Sequence, residues 1–273
     1  MPGSESVGPI STPGTCAASG GPSENLGGQD LATSPLHGQT AIITGAGSGI
    51  GEAAAEDLAA AGMRVALVGR REDRIAAVAE RIRRAGHEAV AEPGDIRDFA
   101  LMEAIVARAL ERWGKVDVFV ANAALVERSH ISDGDPESWR KVIDTNVMGT
   151  FNSVRAVLPQ MHRQGSGHIV IVSSLSGRIT YVGEPAYVAS KHALVAMGHC
   201  LRKELAPKGI RVTLIEPGLV QTEFVDLEFA FSLFPDATPL APADVARTIR
   251  FVLEQPPNVA ISEVGLHPVH QVW

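Results

Sequence analysis

From residue 40 onward the chain alternates between short, nearly continuous apolar runs and longer stretches in which apolar residues return every three or four positions. The runs fall at 40–44, 64–69, 88–92, 116–121, 168–173, 210–216 and 260–266. Segments of helical period, roughly ten to twenty residues long, separate them. A strand that is apolar on both faces must be covered on both faces, and an amphipathic helix after each strand supplies the cover. The pattern predicts one doubly wound α/β domain, with a seven-stranded parallel sheet flanked by helices. In such a sheet, ligands sit beyond the carboxyl ends of the strands, so the residues just after each run carry the functional interest.

Composition changes this picture mainly at the ends. Residues 1–36 are dominated by Gly, Ser and Pro with little apolar periodicity. Such a segment buries too little surface to offset its ordering entropy, and a disordered tail is expected there, with the folded domain at 37–273. Of the 273 residues, 45% are hydrophobic, ample for a core, and the net charge of −7 with no basic run argues against a nucleic-acid partner. No apolar stretch approaches the length of a membrane span, and residues 1–36 lack the basic and apolar regions of a signal peptide. The expectation is a cytoplasmic protein with no membrane partner. The two cysteines, Cys16 and Cys200, support neither a disulfide framework nor a metal site, and Cys200 is read as a structural thiol.

The glycine-rich stretch 44–51, Thr-Gly-Ala-Gly-Ser-Gly-Ile-Gly, lies where the first strand turns into the first helix. Glycine permits the φ/ψ values and close approach of such a turn, and the turn aims backbone N–H groups and the positive helix end at a phosphate. A tight turn with no ligand is the plainer reading. The strand before it and the helix after it favour a nucleotide, with Gly45, Ser48, Gly49, Ile50 and Gly51 as candidate contacts. The second strand is followed by Arg70 and Arg71, where an enzyme using the unphosphorylated ribose usually presents a carboxylate. Arginine suits a 2′-phosphate and points to NADP(H). Solvated charges at the start of helix 72–85 are the alternative, and Glu72 leaves some use of NAD open. After the third strand, Asp95 is placed to accept from an adenine amino group, with Ile96 beside it, whereas Asp98 is better placed to cap the next helix.

Ser173 and Ser174 end the fifth strand, and Tyr187 and Lys191 stand one helical turn apart at the start of the next long helix. A phenol has an unperturbed pKa of about 10, and a neighbouring ammonium favours the phenolate. A Tyr tuned in this way can exchange a proton with a substrate oxygen, and Ser174 can hydrogen-bond the same atom. A Tyr and a Lys at this spacing also occur on many solvated helix faces. Together with the glycine turn they carry more weight.

In order and spacing, these features resemble the short-chain dehydrogenase/reductase family: Thr-Gly-x-x-x-Gly-x-Gly at 44–51, Gly94-Asp95, the Asn of Asp144-Thr145-Asn146-Val147, Ser174, Tyr187-x-x-x-Lys191, and Pro217-Gly218. The resemblance spans the chain from about Leu36 onward and implies a Rossmann-type fold and a catalytic tetrad. Tyr187 would be the general acid in carbonyl reduction, with Lys191 lowering its pKa and holding the nicotinamide ribose. Ser174 would polarise the carbonyl, and Asn146 would hold a helix bend and a water that relays protons to Lys191. Asn122, Pro217, Gly218, Val220 and Thr222 would join the cofactor contacts. The resemblance further implies a ketone or aldehyde interconverted with an alcohol, and a homodimer or homotetramer formed through the helices before the fifth and sixth strands and through the last strand. One departure is Ala121-Asn122-Ala123-Ala124, where the family usually has Asn-Asn-Ala-Gly. The loss of the first Asn is expected to remove hydrogen bonds that brace the central strand, and the last Ala adds a methyl near the cofactor. The ending 264–271 is similar to a branch of NADP-dependent reductases that includes clavulanate dehydrogenase, which hints at a specialised carbonyl substrate.

Two rival readings differ in class. A non-catalytic NADP(H)-binding sensor would be signalled by loss of Tyr or Lys, and both are present. A sugar-nucleotide epimerase typically has Gly-x-x-Gly-x-x-Gly, which this chain lacks. For the substrate, the loop after Ser174 and the long stretch after Gly218, with Phe224, Phe229, Phe231 and Phe234, are the expected pocket walls. Those phenylalanines fit a lid, a subunit contact or core packing equally. Glu127, Arg128, His130 and Glu184 are polar candidates for the same rim.

Overall fold

The computed structural model describes residues 34–272. All strands of its seven-stranded sheet run parallel, in the order β3-β2-β1-β4-β5-β6-β7. The strands are β1 (Thr40–Thr44), β2 (Arg64–Gly69), β3 (Ala89–Pro93), β4 (Val118–Ala121), β5 (Gly167–Val172), β6 (Ile210–Pro217) and β7 (Glu263–Leu266). Helices α1 (Gly49–Ala60), α2 (Glu72–Arg84) and α8 (Pro242–Leu253) contribute to the core on one face. Helices α3 (Phe99–Trp113), α5 (Gly149–Gln164) and α6 (Pro185–Leu205) contribute to the core on the other. The predicted fold class is therefore observed. The sheet order reverses between β1 and β4, so the strand ends diverge there and open a cleft.

Several boundaries move, each for a visible reason. The fourth strand begins at Val118 because Asp117 turns its carboxylate onto the Thr40 amide at 2.7 Å, capping the neighbouring strand. The last strand is shorter than 260–266: the approach to it is instead pinned from the side by Arg211 on the carbonyls of Gln255 and Val259, and by Thr213 on that of Ile261. Leu36, assigned to the tail from composition, is 1% exposed and packs in the core, so the folded body begins before residue 37. The rest of the expected tail, residues 1–33, and with it Cys16, lies outside the described residues. Cys200 is exposed on α6, which corrects its reading as a structural thiol.

Local sequence explains the helix ends that matter to the site. Asp98 accepts from the Leu101 amide at 3.0 Å and starts α3, as its position suggested. Pro136, with Asp135 as N-cap, starts α4 (Pro136–Ile143), and Pro185 starts α6. Between α4 and α5 the helix widens into a π-turn over Asp144–Met148, the bend expected at Asn146. A short helix α7 (Leu227–Leu233), capped by Asp226, lies in the long connection after β6. No helix among the described residues is long and apolar enough to cross a membrane.

Candidate active site

The cleft at the strand ends has a volume of about 500 Å³ and runs from Arg70 and Arg71, past the glycine turn, to Ser174, Tyr187 and Lys191. Ser48, Gly45, Gly49, Ile50, Asp95, Ile96, Asn122, Pro217, Gly218, Val220 and Thr222 also line it. Two expected residues do not. Gly51 is buried behind the turn, where a Cβ would meet the Gly45 carbonyl at 2.3 Å, so its role is to let helix and strand close on each other. Asn146 stands behind the wall. Its amide donates to the Leu125 carbonyl at 2.8 Å and to Ser190 Oγ at 2.9 Å, and its oxygen accepts from the Leu125 amide at 2.7 Å. The side chain thus fixes the cleft segment after β4, while the main-chain carbonyl in the π-turn accepts from Thr150 Oγ1.

The brace lost at Ala121 is made another way. Thr44 Oγ1 accepts from the amides of Asn122 and Ala123 at 3.0 and 3.1 Å, and the Asn122 side chain donates to the Thr44 carbonyl. Beside it, Thr145 Oγ1 is buried at the cleft wall with no partner. An unpaired buried hydroxyl, the glycines of the turn on the cleft wall and a helix N-terminus form a polar cradle that suits a dinucleotide. At the far end Arg71 donates to Ser48 Oγ at 2.9 Å, and Arg71 and Arg74 both reach Glu223. Asp95 is held by Arg97 through both carboxylate oxygens, which keeps its pKa low.

At the other end, Lys191 Nζ donates to the Val172 carbonyl at 3.0 Å and sits over the Tyr187 ring, 5.5 Å from its centre. The ammonium therefore faces the ring rather than the phenol oxygen, and burial governs both groups. Burial pushes the Tyr187 phenol up, opposed by a hydrogen bond from Ser174 and aided by the charge of Glu184. Burial likewise draws Lys191 down to about 7. The expected depression of the Tyr187 pKa is thus reversed in this state, and the phenol holds its proton. Ser174 Oγ accepts from the Ser176 amide at 3.1 Å, and besides the Tyr187 phenol its hydroxyl reaches Ser176 Oγ at 3.2 Å and the Pro217 carbonyl at 3.3 Å.

A second cavity opens beside Ser174 and Tyr187, lined by Leu175, Phe224 and Phe229 on one hand and by Arg128, Tyr181 and Glu184 on the other, among others. Phe224 leans on the Tyr187 ring at 5.9 Å, so it and its neighbours form a wall, whereas Phe231 is exposed. Glu184 was open as a solvated rim residue. It is 4% exposed, pairs with Arg128 at 3.0 Å and accepts from Tyr181 at 2.8 Å. Sequence reading also missed Gln271 as a structural part of the site: its Oε1 accepts from the Leu219 amide at 2.9 Å and holds the turn after β6.

The short chain dehydrogenase model matches residues 39–230. An oxidoreductase of uncharacterised activity from Mycobacterium tuberculosis is 43% identical over 239 residues, covering 85% of this chain and 92% of that one. The crystal structure of a short-chain dehydrogenase/reductase from Mycobacterium marinum superposes with a TM-score of 0.81 at 28% identity, covering 86% of this chain and 96% of that one. An alcohol dehydrogenase from Thermococcus sibiricus, solved with 5-hydroxy-NADP, superposes with a TM-score of 0.77 at 29% identity, covering 86% and 98%. With the fold, the cleft and the family match in agreement, this chain belongs to the short-chain dehydrogenase/reductase family.

Proposed function

We propose that the protein is an NADP(H)-dependent oxidoreductase that interconverts a ketone or aldehyde and an alcohol. The observation that carries this reading is the single cleft that joins an arginine pair at one end to Tyr187, Ser174 and Lys191 at the other. The Thermococcus relative was solved with an NADP derivative, and its activity class agrees with this reading. Bound in the cleft, the cofactor supplies or takes the hydride.

The chain's own residues do the rest. Arg70 and Arg71 hold the 2′-phosphate, and the N-terminal turn of α1 faces the diphosphate. A phenol that burial keeps protonated is a proton donor, so Tyr187 gives its proton to the carbonyl oxygen in reduction and recovers it in oxidation. Ser174, whose hydroxyl already stands in hydrogen-bond reach of the Tyr187 phenol, donates to the same substrate oxygen. Lys191, with its pKa near 7, is poised to exchange a proton at neutral pH and to hold a ribose hydroxyl. The second cavity, which sets phenylalanines beside Arg128, Tyr181 and Glu184, takes the body of the substrate.

The test is oxidation of NADPH, followed by absorbance, over a panel of ketones and aldehydes, with Tyr187→Phe alongside. Turnover that falls at least a hundredfold in Tyr187→Phe, with NADPH binding retained, is the expected result. Equal turnover by the two proteins would remove Tyr187 from the chemistry.

A further inference from the structure

The segment after β6 lies across the whole cleft, and three consecutive residues tie it down at three places. Thr222 packs on the glycine turn, where a Cβ at Gly49 would come within 3.0 Å of its methyl. Phe224 leans on Tyr187, and its carbonyl accepts from Arg128 at 3.3 Å. Between them, Glu223 reaches the arginine end, 3.3 Å from Arg71 and 3.2 Å from Arg74. Arg71 spends its remaining fork on Ser48 Oγ at the start of α1. The cleft thus holds a carboxylate of its own chain on Arg71, one of the two guanidinium groups assigned to the 2′-phosphate, with Arg74 as its second anchor.

We propose that Glu223, anchored by Arg74, sets the cofactor preference by competing with the 2′-phosphate for Arg71. The inference rests on the NADP(H) reading and deepens it. A phosphate brought to Arg70 and Arg71 carries close to two negative charges and must displace Glu223 from Arg71 or bear its repulsion. A ribose with a free 2′-hydroxyl meets no such conflict, because a carboxylate accepts a hydrogen bond from a hydroxyl. Glu223 therefore weakens NADP(H) binding and leaves NAD(H) binding intact or slightly favoured. The charges are about half exposed, so the effect is modest and falls with salt.

Fluorescence titration with NADPH and with NADH, at low salt, tests this on wild type, Glu223→Gln, Arg71→Ala/Arg74→Ala and the combined variant. Glu223→Gln should tighten NADPH about three- to tenfold and leave NADH unchanged or up to about threefold weaker. The gain should shrink below about twofold once both arginines are gone, since a competitor has no effect without the prize. An equal change for both cofactors, or a gain that persists without the arginines, would overturn the proposal. A wild type that binds NADH alone would sink the cofactor reading instead. Glu223→Gln would then still decide the competition: appearance of NADPH binding supports it, and continued absence rejects it.

Discussion

At the scale of single residues, the ion pair of Arg128 and Glu184 shows how burial sets chemistry. Glu184 is nearly inaccessible, and burial raises its pKa, with the hydrogen bond from Tyr181 and the charge of Arg128 opposing. Removing the guanidinium leaves a buried carboxylate with one donor, which costs about 2–3 kcal/mol where the carboxylate is ionised. The sign with pH follows from the raised pKa. An acid that titrates higher in the folded state carries its penalty above that pKa and loses it as pH falls and the group is protonated. Arg128→Ala should therefore be less destabilised, relative to wild type, at pH 5 than at pH 8 in denaturant titrations, and Arg128→Ala/Glu184→Gln should recover part of the loss. A deficit of equal size at both pH values would mean that Arg128 contributes through packing alone. Neither partner was legible as a pair in the sequence, because they lie far apart in the chain and meet only through the fold.

Among elements, legibility tracked the range of the interactions. The seven strands, the glycine turn and the Tyr187–Lys191 spacing were readable because each depends on residues within one or two turns of chain. The π-turn at Asn146 was foreseen as a bend from resemblance, while its anchoring to Leu125 was not. Most hidden was the segment after β6, whose hold depends on contacts as distant as Glu223 to Arg71, 152 residues apart. Its base is the turn Pro217-Gly218-Leu219, clamped by the buried Gln271, where a Cβ on Gly218 would meet the Gln271 oxygen at 2.1 Å. Gln271→Ala strands the buried Leu219 amide at a cost of about 1–3 kcal/mol. The expected outcome is a lower denaturation midpoint together with faster limited proteolysis within 219–234. A lower midpoint with no added cleavage there would make Gln271 a general packing residue rather than the clamp of that element.

At the scale of the whole molecule, the centre of the sheet holds a group that only global unfolding can titrate. His168 on β5 is 2% exposed and its Nε2 lies 2.8 Å from Thr213 Oγ1. Thr213 is committed to the Ile261 carbonyl at 2.6 Å, so the imidazole must donate from Nε2, which leaves Nδ1 bare and without a partner. Protonating Nδ1 would put a charge into the sheet beside Arg211, and burial draws the His168 pKa down to about 3, with Arg211 adding to it. Between that value and the ordinary value of about 6.5, the unfolded chain binds a proton that the folded chain refuses. Stability from this group is therefore complete above about pH 6.5 and is lost on acidification at about 1.4 kcal/mol per pH unit. Lys191, also depressed by burial, acts with the same sign but higher, across the window from about 7 to its ordinary value of 10.5. The raised carboxyl groups of Glu184 and Glu216 act with the opposite sign, gaining stability as they are protonated. The wild type should thus lose about 2 kcal/mol more than His168→Gln between pH 6.5 and 5 in guanidinium titrations, since glutamine keeps a donor for Thr213 and cannot titrate. Parallel pH dependence in the two proteins would show that acid opens the sheet elsewhere first.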